Sequence, residues 1–140
     1  MMRLRRALPD DCEFVLMTRN DPATRAASRT DNVKDPQWYA DRLGDPAHFM
    51  FIAEIDDVAI GYGSLQQYTA LTAEVNIALA PAFRGMGLSH GFIDHLVEEG
   101  RKFGIDRFLA TIRGENVSSL RAFLHEGFLP SKWIYLERRK

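Results

Sequence analysis

The sequence has little that would cross-link the chain or place it in a membrane. Cys12 is the only cysteine among 140 residues, which excludes an intrachain disulfide, and no cysteine or histidine spacing around it forms a zinc-binding pattern. No apolar stretch approaches the roughly 20 residues that span a bilayer, and the N-terminus carries arginines without the apolar segment of a signal peptide. We expect a cytoplasmic protein that holds no metal and is neither exported nor anchored.

An excess of charge of one sign is also missing. The 18 basic and 19 acidic residues leave a formal net charge of -1, and the few arginines near each end are too short a run for a nucleic-acid footprint. The sequence has no internal repeat and no low-complexity segment. With 46% apolar and 26% charged residues, its composition is globular. We predict a single domain over residues 1–140 that binds neither nucleic acid nor membrane.

The segment from Ala73 to His90 contains the most informative pattern. Its apolar residues alternate from Val75 to Leu79, as in a strand with one buried face. After Pro81 the chain has a turn with two glycines, Gly85 and Gly87. Glycine allows a positive φ and a close approach of a ligand to the backbone, and the amides of the turn converge at the N-terminus of the following helix. The pattern predicts a cradle for a phosphate group.

Capping residues and apolar periodicity predict four longer helices. Asp10 or Asp11 is the expected cap of the first helix, and Asp35, which precedes a proline, is the expected cap of the second. Trp38 and Tyr39 give the second helix an apolar face, and we expect both in the core. The helices are predicted at residues 12–20, 36–43, 88 to about 100 or 104, and 117–126.

Turn signals and apolar runs predict a mixed sheet. Asp56 and Asp57 join two apolar runs and predict a hairpin. Three strands that follow one another directly should form an antiparallel meander, and a helical crossover should place the next strand parallel to the third. The fold class is therefore α/β, with a mostly antiparallel central sheet, a splayed parallel pair and flanking helices. Strands are predicted at residues 3–8, 48–55, 58–66, 73–80, 107–112 and 133–136.

Two blocks of sequence are similar to signatures of one enzyme superfamily. The run Arg84-Gly-Met-Gly-Leu-Ser89 resembles the R/Q-x-x-G-x-G/A motif of the GNAT superfamily of acetyl-CoA-dependent N-acetyltransferases. The segment from Asn116 to Phe128 resembles the downstream N-x-x-(A/S)-x-x-x-Y-x-x-x-G-F helix, with Phe123 in the place of the usual tyrosine. The resemblance implies the GNAT fold over residues 73–128 and acetyl-CoA as the co-substrate.

The resemblance also implies which residues hold the co-substrate. The turn amides and the Arg84 side chain should bind the diphosphate, while backbone at the end of the preceding strand should pair with the pantetheine arm and offer an amide to the thioester oxygen. Phe123 has no proton to give to the departing sulfur, a step that water or Ser119 would then assist. The implied cofactor-binding residues are Leu79, Ala80, Arg84, Gly85, Met86, Gly87, Leu88, Ser89, Asn116, Ser119 and Phe123.

Glu74 and Asn76 are the expected catalytic residues. They are two positions apart on the predicted strand and therefore point to the same face of the sheet. A carboxylate at this place can take the proton of the acceptor amine, directly or through a water molecule. The alternative is that Glu74 is an ordinary solvated residue at a strand end. His90 is a weaker second candidate for the base.

The polar segment from Arg19 to Ser28 is the expected lip of the acceptor site. Its composition alone allows one or two short helical turns or a plain connection between helices. The pattern R-N-D-P-x-x-R-x-x-S resembles a segment of bacterial GNAT enzymes that acetylate a nucleotide-linked amino sugar, as in pseudaminic acid pathways. That resemblance implies contacts of Arg19, Asn20 and Arg25 with the acceptor.

These observations predict an N-acetyltransferase that moves acetyl from acetyl-CoA to a primary amine, with a nucleotide-linked amino sugar as the leading acceptor. Two alternatives stay open at this point: acetylation of a protein N-terminus or a small amine, and a silent acyl-CoA-binding module. Many members of the family dimerise through their later strands. Trp133 and Tyr135 therefore belong either to a closing strand of the core or to a homodimer interface.

Overall fold

The computed structural model describes residues 1–132, 136 and 138 of the chain. Its centre is a five-stranded sheet in the order β1-β2-β3-β4-β5. The first four strands pair antiparallel, and β4 pairs parallel with β5. The sheet is therefore mixed, as the order of the predicted elements indicated. The strands are β1 Met2–Arg6, β2 His48–Ile55, β3 Val58–Gln67, β4 Thr72–Leu79 and β5 Arg107–Leu109.

In the described part of the chain, five α-helices flank this sheet. The lip segment forms one short helix, which is one of the two forms that its composition allowed. None of the helices in the described part of the chain combines the length and the apolar character needed to cross a bilayer. The helices are α1 Cys12–Asn20, α2 Pro22–Ala27, α3 Pro36–Gly44, α4 Ser89–Lys102 and α5 Val117–His125.

Helix and turn signals in the sequence agree with the structure at most positions. The Asp35 side chain accepts a hydrogen bond from Trp38 N at the start of α3, as predicted. Asp56 and Asp57 form the β2–β3 turn with φ of 50° and 63°, the left-handed conformation that a two-residue hairpin requires. Asp11 is the N-cap residue of α1, one of the two positions predicted, but its side chain makes no cap bond to that helix and instead accepts from Arg5 and from Leu8 N.

The two faces of the sheet pack against different helices. One core cluster includes Phe92, Ile93 and Leu96 of α4 and the apolar residues of the facing strands. The other joins α1 and α3 to the opposite face and contains Val15 and Tyr39, which are 0% and 2% exposed. Helices on both faces hold the sheet rigid, so β4 presents its side chains and backbone groups in defined directions.

Close packing of α4 on the sheet explains one glycine of β3. A Cβ atom placed at Gly63 would lie 2.8 Å from both Leu96 and Phe92, closer than any real side chain allows. Glycine at this position lets α4 approach the strand closely.

The pairing of β4 with β5 is brief. Only Thr72–Glu74 pair with Arg107–Leu109, so β5 is shorter than the predicted strand of residues 107–112. Beyond Glu74 the two strands separate, which agrees with the predicted splay. The predicted closing strand at 133–136 falls mainly on residues outside the described part of the chain, as do Trp133 and Tyr135.

Candidate active site

A cavity of about 820 Å³ lies along the opening between β4 and the end of β5. Its lower wall is β4, where Glu74 and Asn76 project from the same face, and its far wall includes Ser119 and Phe123 of α5. Arg19 and the α2–α3 connection close the opposite side. The cavity wall thus brings together Glu74, the predicted acceptor residue Arg19 and the predicted cofactor residues of α5 and its cap, whereas Leu79, Ala80 and the turn from Arg84 to Ser89 lie outside it.

Glu74 is buried, with only 6% of its surface exposed. The Tyr68 hydroxyl donates a short hydrogen bond to Glu74 Oε1, and Arg29 Nη2 lies 3.4 Å from Glu74 Oε2. Arg29 also donates to Thr111 Oγ1 at 2.8 Å. The glutamate is therefore held in a fixed position in the cavity and does not resemble a solvated strand-end residue.

Tyr68 was missed by the sequence analysis. It precedes β4 in a turn closed by the Tyr68 N–H, which donates to Thr72 O at 2.9 Å, and this turn brings the phenol back over Glu74. The hydrogen bond to the Glu74 carboxylate raises the pKa of Tyr68, so the hydroxyl stays a donor at neutral pH. No pattern in the sequence shows this contact, because it depends on how the turn folds back.

Backbone groups of β4 alternate between β3 and the opening. Ala80 N–H donates to Ile60 O at 2.8 Å, and the β3–β4 register continues without a shift from Leu79. Because alternate residues of an antiparallel strand bond to the same neighbour, Ile77 and Leu79 turn their amides toward the opening. The expectation that Ala80 offers its amide to the co-substrate is thus wrong, whereas Leu79 is correctly oriented.

The glycine turn has the backbone conformation that the sequence suggested. Gly85 and Gly87 have φ of 73° and 72°, and no atom lies within 4 Å of a Cβ placed at either one. No side chain caps the N-terminus of α4, where Leu88 is the N-cap residue and Ser89 begins the helix. Met86 is exposed at the tip of the turn. Uncapped helix amides beside an open turn are suited to bind an anion.

The Arg84 side chain contacts the lip rather than the turn. Its Nη1 donates to Asp21 Oδ2 and its Nη2 to Thr24 Oγ1, both at 2.7 Å. Asp21 also accepts from Ala23 N at the start of α2. The cofactor turn and the acceptor lip are therefore connected by an ion pair between residues far apart in sequence, which the sequence alone did not indicate.

We expect the Asp21–Arg84 contact to restrain α2. Asp21→Asn keeps an N-cap side chain but removes the charge, so α2 amides should exchange with deuterium faster than in the wild type. Because Arg84 is released from Asp21 in this variant, we expect its affinity for acetyl-CoA to equal or exceed that of the wild type. Exchange mass spectrometry and calorimetry measure both, with exposed Asp94→Asn as control. Unchanged exchange in Asp21→Asn, or a tenfold loss of affinity, would contradict this view of the contact.

Helix α5 brings the second sequence block to the cavity. Asn116 caps this helix by accepting from Ser119 N at 3.3 Å, and Ser119 and Phe123 lie in the cavity wall. Phe123 is 4% exposed and packs edge to face on Phe128, with ring centroids 5.0 Å apart. Asn116 therefore shapes the helix start, and Phe123 supplies an apolar surface where a tyrosine would supply a hydroxyl.

Of the three predicted lip residues, Arg19 is the one that lies in the cavity wall. Arg19 is 8% exposed, its Nη2 donates to Thr30 O, and its Nη1 has no partner among the described residues. Asn20 instead holds the chain at Lys34 through two hydrogen bonds to the Lys34 backbone. Arg25 donates to Asp31 O and lies outside the cavity wall. Asn20 and Arg25 are thus placed to support the lip.

Two further residues of the cavity wall carry buried polar atoms without partners in the described structure. These are Trp38 Nε1 and His48 Nε2. Trp38 was expected in the core but is only half-buried. The Arg42 guanidinium carbon lies over the Trp38 ring, 5.1 Å from its centroid. Burial lowers the pKa of His48. Neither residue belongs to a motif, so only the packing of α3 against β2 identifies them.

The acceptor side of the cavity is strongly basic. Glu74 is the one acidic side chain among the lining residues that the structure describes. Burial, followed by the nearby charge of Arg19, lowers the pKa of Lys34, as expected where cations lie close together. The basic lining residues are Arg19, Arg29, Lys34, Arg42 and Arg113.

Comparison with known proteins gives a consistent result. A profile of the Acetyltransferase (GNAT) family matches residues 12–128. An L-methionine sulfoximine/L-methionine sulfone acetyltransferase of Salmonella typhimurium is 28% identical over an alignment 139 residues long, and the match covers 91% of this chain and 80% of that protein.

Solved structures share the architecture. The structure of yncA from Salmonella typhimurium with its cofactor acetyl-CoA is 27% identical, with a TM-score of 0.74 and coverage of 91% of this chain and 79% of that chain. Spermidine N-acetyltransferase from Vibrio cholerae, in complex with CoA and spermine, has a TM-score of 0.84 at 18% identity, with 93% and 82% covered. At that identity the likeness shows the fold alone. The predicted fold, enzyme class and co-substrate are confirmed.

Proposed function

Since this chain belongs to the Acetyltransferase (GNAT) family and is an acetyl-CoA-dependent N-acetyltransferase, we propose that its acceptor is a small primary amine that also carries an anionic group. The observation that carries this proposal is the charge of the cavity: among the described residues, five basic side chains line it and Glu74 is the one carboxylate. An amine reaches Glu74 in this arrangement while its anionic group lies among the basic residues.

The same charge distribution disfavours a polyamine. Each additional ammonium group of such an acceptor would face the basic residues of the lip, and like charges at an interface oppose binding. One carboxylate, already in contact with Tyr68 and Arg29, cannot offset several positive charges. The cavity therefore selects against polycations even though the fold is shared with a spermidine N-acetyltransferase.

Arg19 and Trp38 are the proposed donors for the anionic group. Arg19 Nη1 and Trp38 Nε1 are both buried without a partner among the described residues, and leaving a buried donor unpaired costs about 1 to 3 kcal/mol. A carboxylate or phosphate oxygen offers acceptors to both groups. Burial lowers the pKa of Arg19, and a desolvated guanidinium gains from a charge-assisted hydrogen bond.

His48 supplies a different kind of group to the same site. Gln66 Nε2 donates to Ala47 O at 3.3 Å, which turns Gln66 Oε1 toward His48 Nδ1 at 2.7 Å. That arrangement places the proton of the neutral imidazole on Nδ1 and leaves Nε2 as an acceptor. A hydroxyl group of the acceptor molecule would satisfy it, which supports a hydroxylated amine such as a sugar.

The residues present fit acetyl-CoA. The uncapped start of α4 and the open turn at Gly87 suit the diphosphate, and the outward amides of Ile77 and Leu79 suit the pantetheine arm. Acetyl-CoA supplies the acetyl thioester when it is bound. Leu79 N–H faces the opening. When acetyl-CoA is bound, this amide would donate a hydrogen bond to the thioester oxygen and stabilise the negative charge that develops there.

Glu74 is the proposed general base. The carboxylate accepts a proton from the acceptor amine in the cavity, and such a base typically contributes about 10² to 10⁴ in rate. Tyr68 and Arg29 keep Glu74 in place. Asn76 is exposed on the same face of β4 and is placed to bind the acceptor amine or a water molecule. His90 is not among the described residues of this wall, so we assign it no part in the proton transfer.

Two acceptor types share the proposed chemistry. A nucleotide-linked amino sugar has a diphosphate and hydroxyls, and the resemblance of the segment from Arg19 to Ser28 supports it. An amino-acid analogue has a carboxylate, and the name of the Salmonella typhimurium relative supports that type. We favour the amino sugar because His48 Nε2 can accept a hydrogen bond, and a sugar hydroxyl can donate it.

The rate of thiol release from acetyl-CoA with different amines tests the proposal directly. A panel should contain a nucleotide-linked amino sugar, methionine sulfone, spermidine and a short peptide, each with an acceptor-free control. We expect turnover with an anionic amine and little with spermidine. Faster turnover of spermidine or of the peptide would overturn the proposal. Acetyl-CoA binding without turnover of any amine would indicate a silent acyl-CoA-binding module. Phe123→Tyr would then be the next variant, because it restores a proton donor for the departing sulfur. A thiol with a pKa of about 8.5 can also leave as the thiolate without such a donor.

Replacement of Arg19 tests the anion contact. In Arg19→Met the apolar stem remains, so we expect the fold to persist while KM for an anionic acceptor rises at least about tenfold, the value of one charge-assisted hydrogen bond. KM for acetyl-CoA should stay unchanged. Steady-state kinetics with both substrates varied separates the two constants. Arg101→Met, on exposed α4, is the control, and equal KM values in both variants would remove Arg19 from the acceptor site.

A further inference from the structure

Three side chains that the proposed reaction does not use meet where α4 begins and α5 ends. His90 Nδ1 lies 3.9 Å and His125 Nδ1 lies 3.0 Å from the same atom, Glu126 Oε2. One ligand atom from each residue falls within 4.8 Å of the other two. The two imidazole rings meet edge to face with their centroids 4.3 Å apart.

His90 carries the clearest sign of a missing ligand. Its Nδ1 is buried and has no hydrogen-bond partner in the described part of the chain, and the 3.9 Å to Glu126 is too long for a hydrogen bond. Buried polar atoms in proteins nearly always have a partner. His125, in contrast, is 70% exposed in its side chain, so it can turn without disturbing the core.

We propose that His90, His125 and Glu126 form a binding site for a divalent transition-metal ion, with zinc as the ion that fits best. Two imidazole nitrogens and one carboxylate oxygen are ligands that zinc binds at about 2.0 to 2.2 Å, which places tetrahedral ligand atoms about 3.3 Å apart. The two distances to Glu126 lie on either side of that value. Calcium and magnesium prefer oxygen ligands, so the two histidines select against them.

The surroundings of the site determine how the ion would be held. The Glu126 side chain is only 19% exposed, and its negative charge offsets part of the charge of the ion. The negative end of the α5 dipole favours a cation, whereas the start of α4 opposes it. A bound ion ties the first turn of α4 to the end of α5, and Ser89 and Phe123 of the proposed cofactor site lie on these same two helices.

Zinc binding to the full chain tests the proposal independently of any acetyl transfer. Calorimetry with zinc chloride alone should find one ion per chain, and zinc should raise the Tm because it binds only the folded state. In His125→Gln we expect zinc affinity to fall at least about tenfold, as for the loss of a metal-site partner. Both measurements should be made in a Cys12→Ser background, which removes the free thiol.

A second histidine of α4 provides the matched control. His95 Nδ1 is bonded to Gly91 O, and His95 is not part of the cluster. His95→Gln should bind zinc like the parent, and Glu126→Gln should bind it as weakly as His125→Gln. The proposal is overturned if the parent binds no zinc, or if His95→Gln and His125→Gln lose the same affinity.

Discussion

Glu74→Gln will lower kcat/KM for acetyl transfer by about 10² to 10⁴, the usual contribution of a positioned general base. Glutamine has nearly the same shape and can still contact Tyr68, so the buried site keeps its packing while the amine loses its proton acceptor. The acetyl-CoA dissociation constant should stay unchanged, because Glu74 is not among the residues proposed to hold acetyl-CoA. Thiol release and calorimetry on the same preparation measure the two quantities.

The pH dependence of this variant separates a base from a structural residue. The ratio of variant to wild-type activity should be smallest at low pH, where the acceptor amine is mostly protonated and its deprotonation limits turnover. At high pH the free amine is present without help, so the ratio should recover. A pH profile parallel to that of the wild type would remove Glu74 as the base.

Two further variants sharpen the result for Glu74. Tyr68→Phe retains the carboxylate but removes its hydrogen bond, so we expect a smaller loss of kcat than in Glu74→Gln and a pH profile displaced from that of the wild type. Glu98→Gln, at an exposed position of α4, serves as the matched carboxylate control. If Glu98→Gln reduced kcat/KM as much as Glu74→Gln, the effect would not belong to the active site.

Gly87→Val will raise the acetyl-CoA dissociation constant at least about tenfold, a loss of about 1.4 kcal/mol. Gly87 has a φ of 72° in an open turn, and no atom lies within 4 Å of the position that a Cβ would occupy. A β-branched residue strains that backbone, and its methyl groups would fill the space through which a diphosphate approaches the amides of α4. Calorimetry with acetyl-CoA gives the change in affinity.

Gly104 provides a control with the same backbone strain. It has a φ of 88°, an equally open surrounding, and a position beyond the other end of α4. Gly104→Val and Gly87→Val should each lose about 1 to 3 kcal/mol of stability from the left-handed backbone. Only Gly87→Val should lose acetyl-CoA affinity. Unchanged affinity in Gly87→Val, or an equal loss in Gly104→Val, would contradict the assignment of the turn.

Local patterns account for the backbone conformations that sequence analysis predicted correctly. The alternation from Val75 to Leu79 predicted β4, and the spacing of Glu74 and Asn76 placed both side chains on one face. The two glycines of the turn predicted positive φ values, which Gly85 and Gly87 adopt. In each case a few neighbouring residues determine the backbone conformation, because steric limits and hydrogen-bond geometry act over short distances.

Local sequence patterns did not predict the pairing register of β4. Sequence analysis assigned both Leu79 and Ala80 to the cofactor, yet the amide of Ala80 bonds to Ile60. Which of two neighbouring amides faces an opening depends on the pairing of β3 with β4, a contact between segments that only the folded sheet brings together. The same reason applies to the cap of α1, where Arg5 of β1 competes for the Asp11 side chain.

The sequence by itself determined the fold class, the family, the co-substrate and the candidate base, since each depends on residues that are close together in the chain. The tertiary structure alone decided which distant side chains come together: Tyr68 contacts Glu74, Asp21 contacts Arg84, and Trp38, His48 and Arg19 line one cavity. It also showed that Asn20 and Arg25 support the lip. These contacts join distant segments, and they form only when the burial of apolar surface packs the helices onto the sheet.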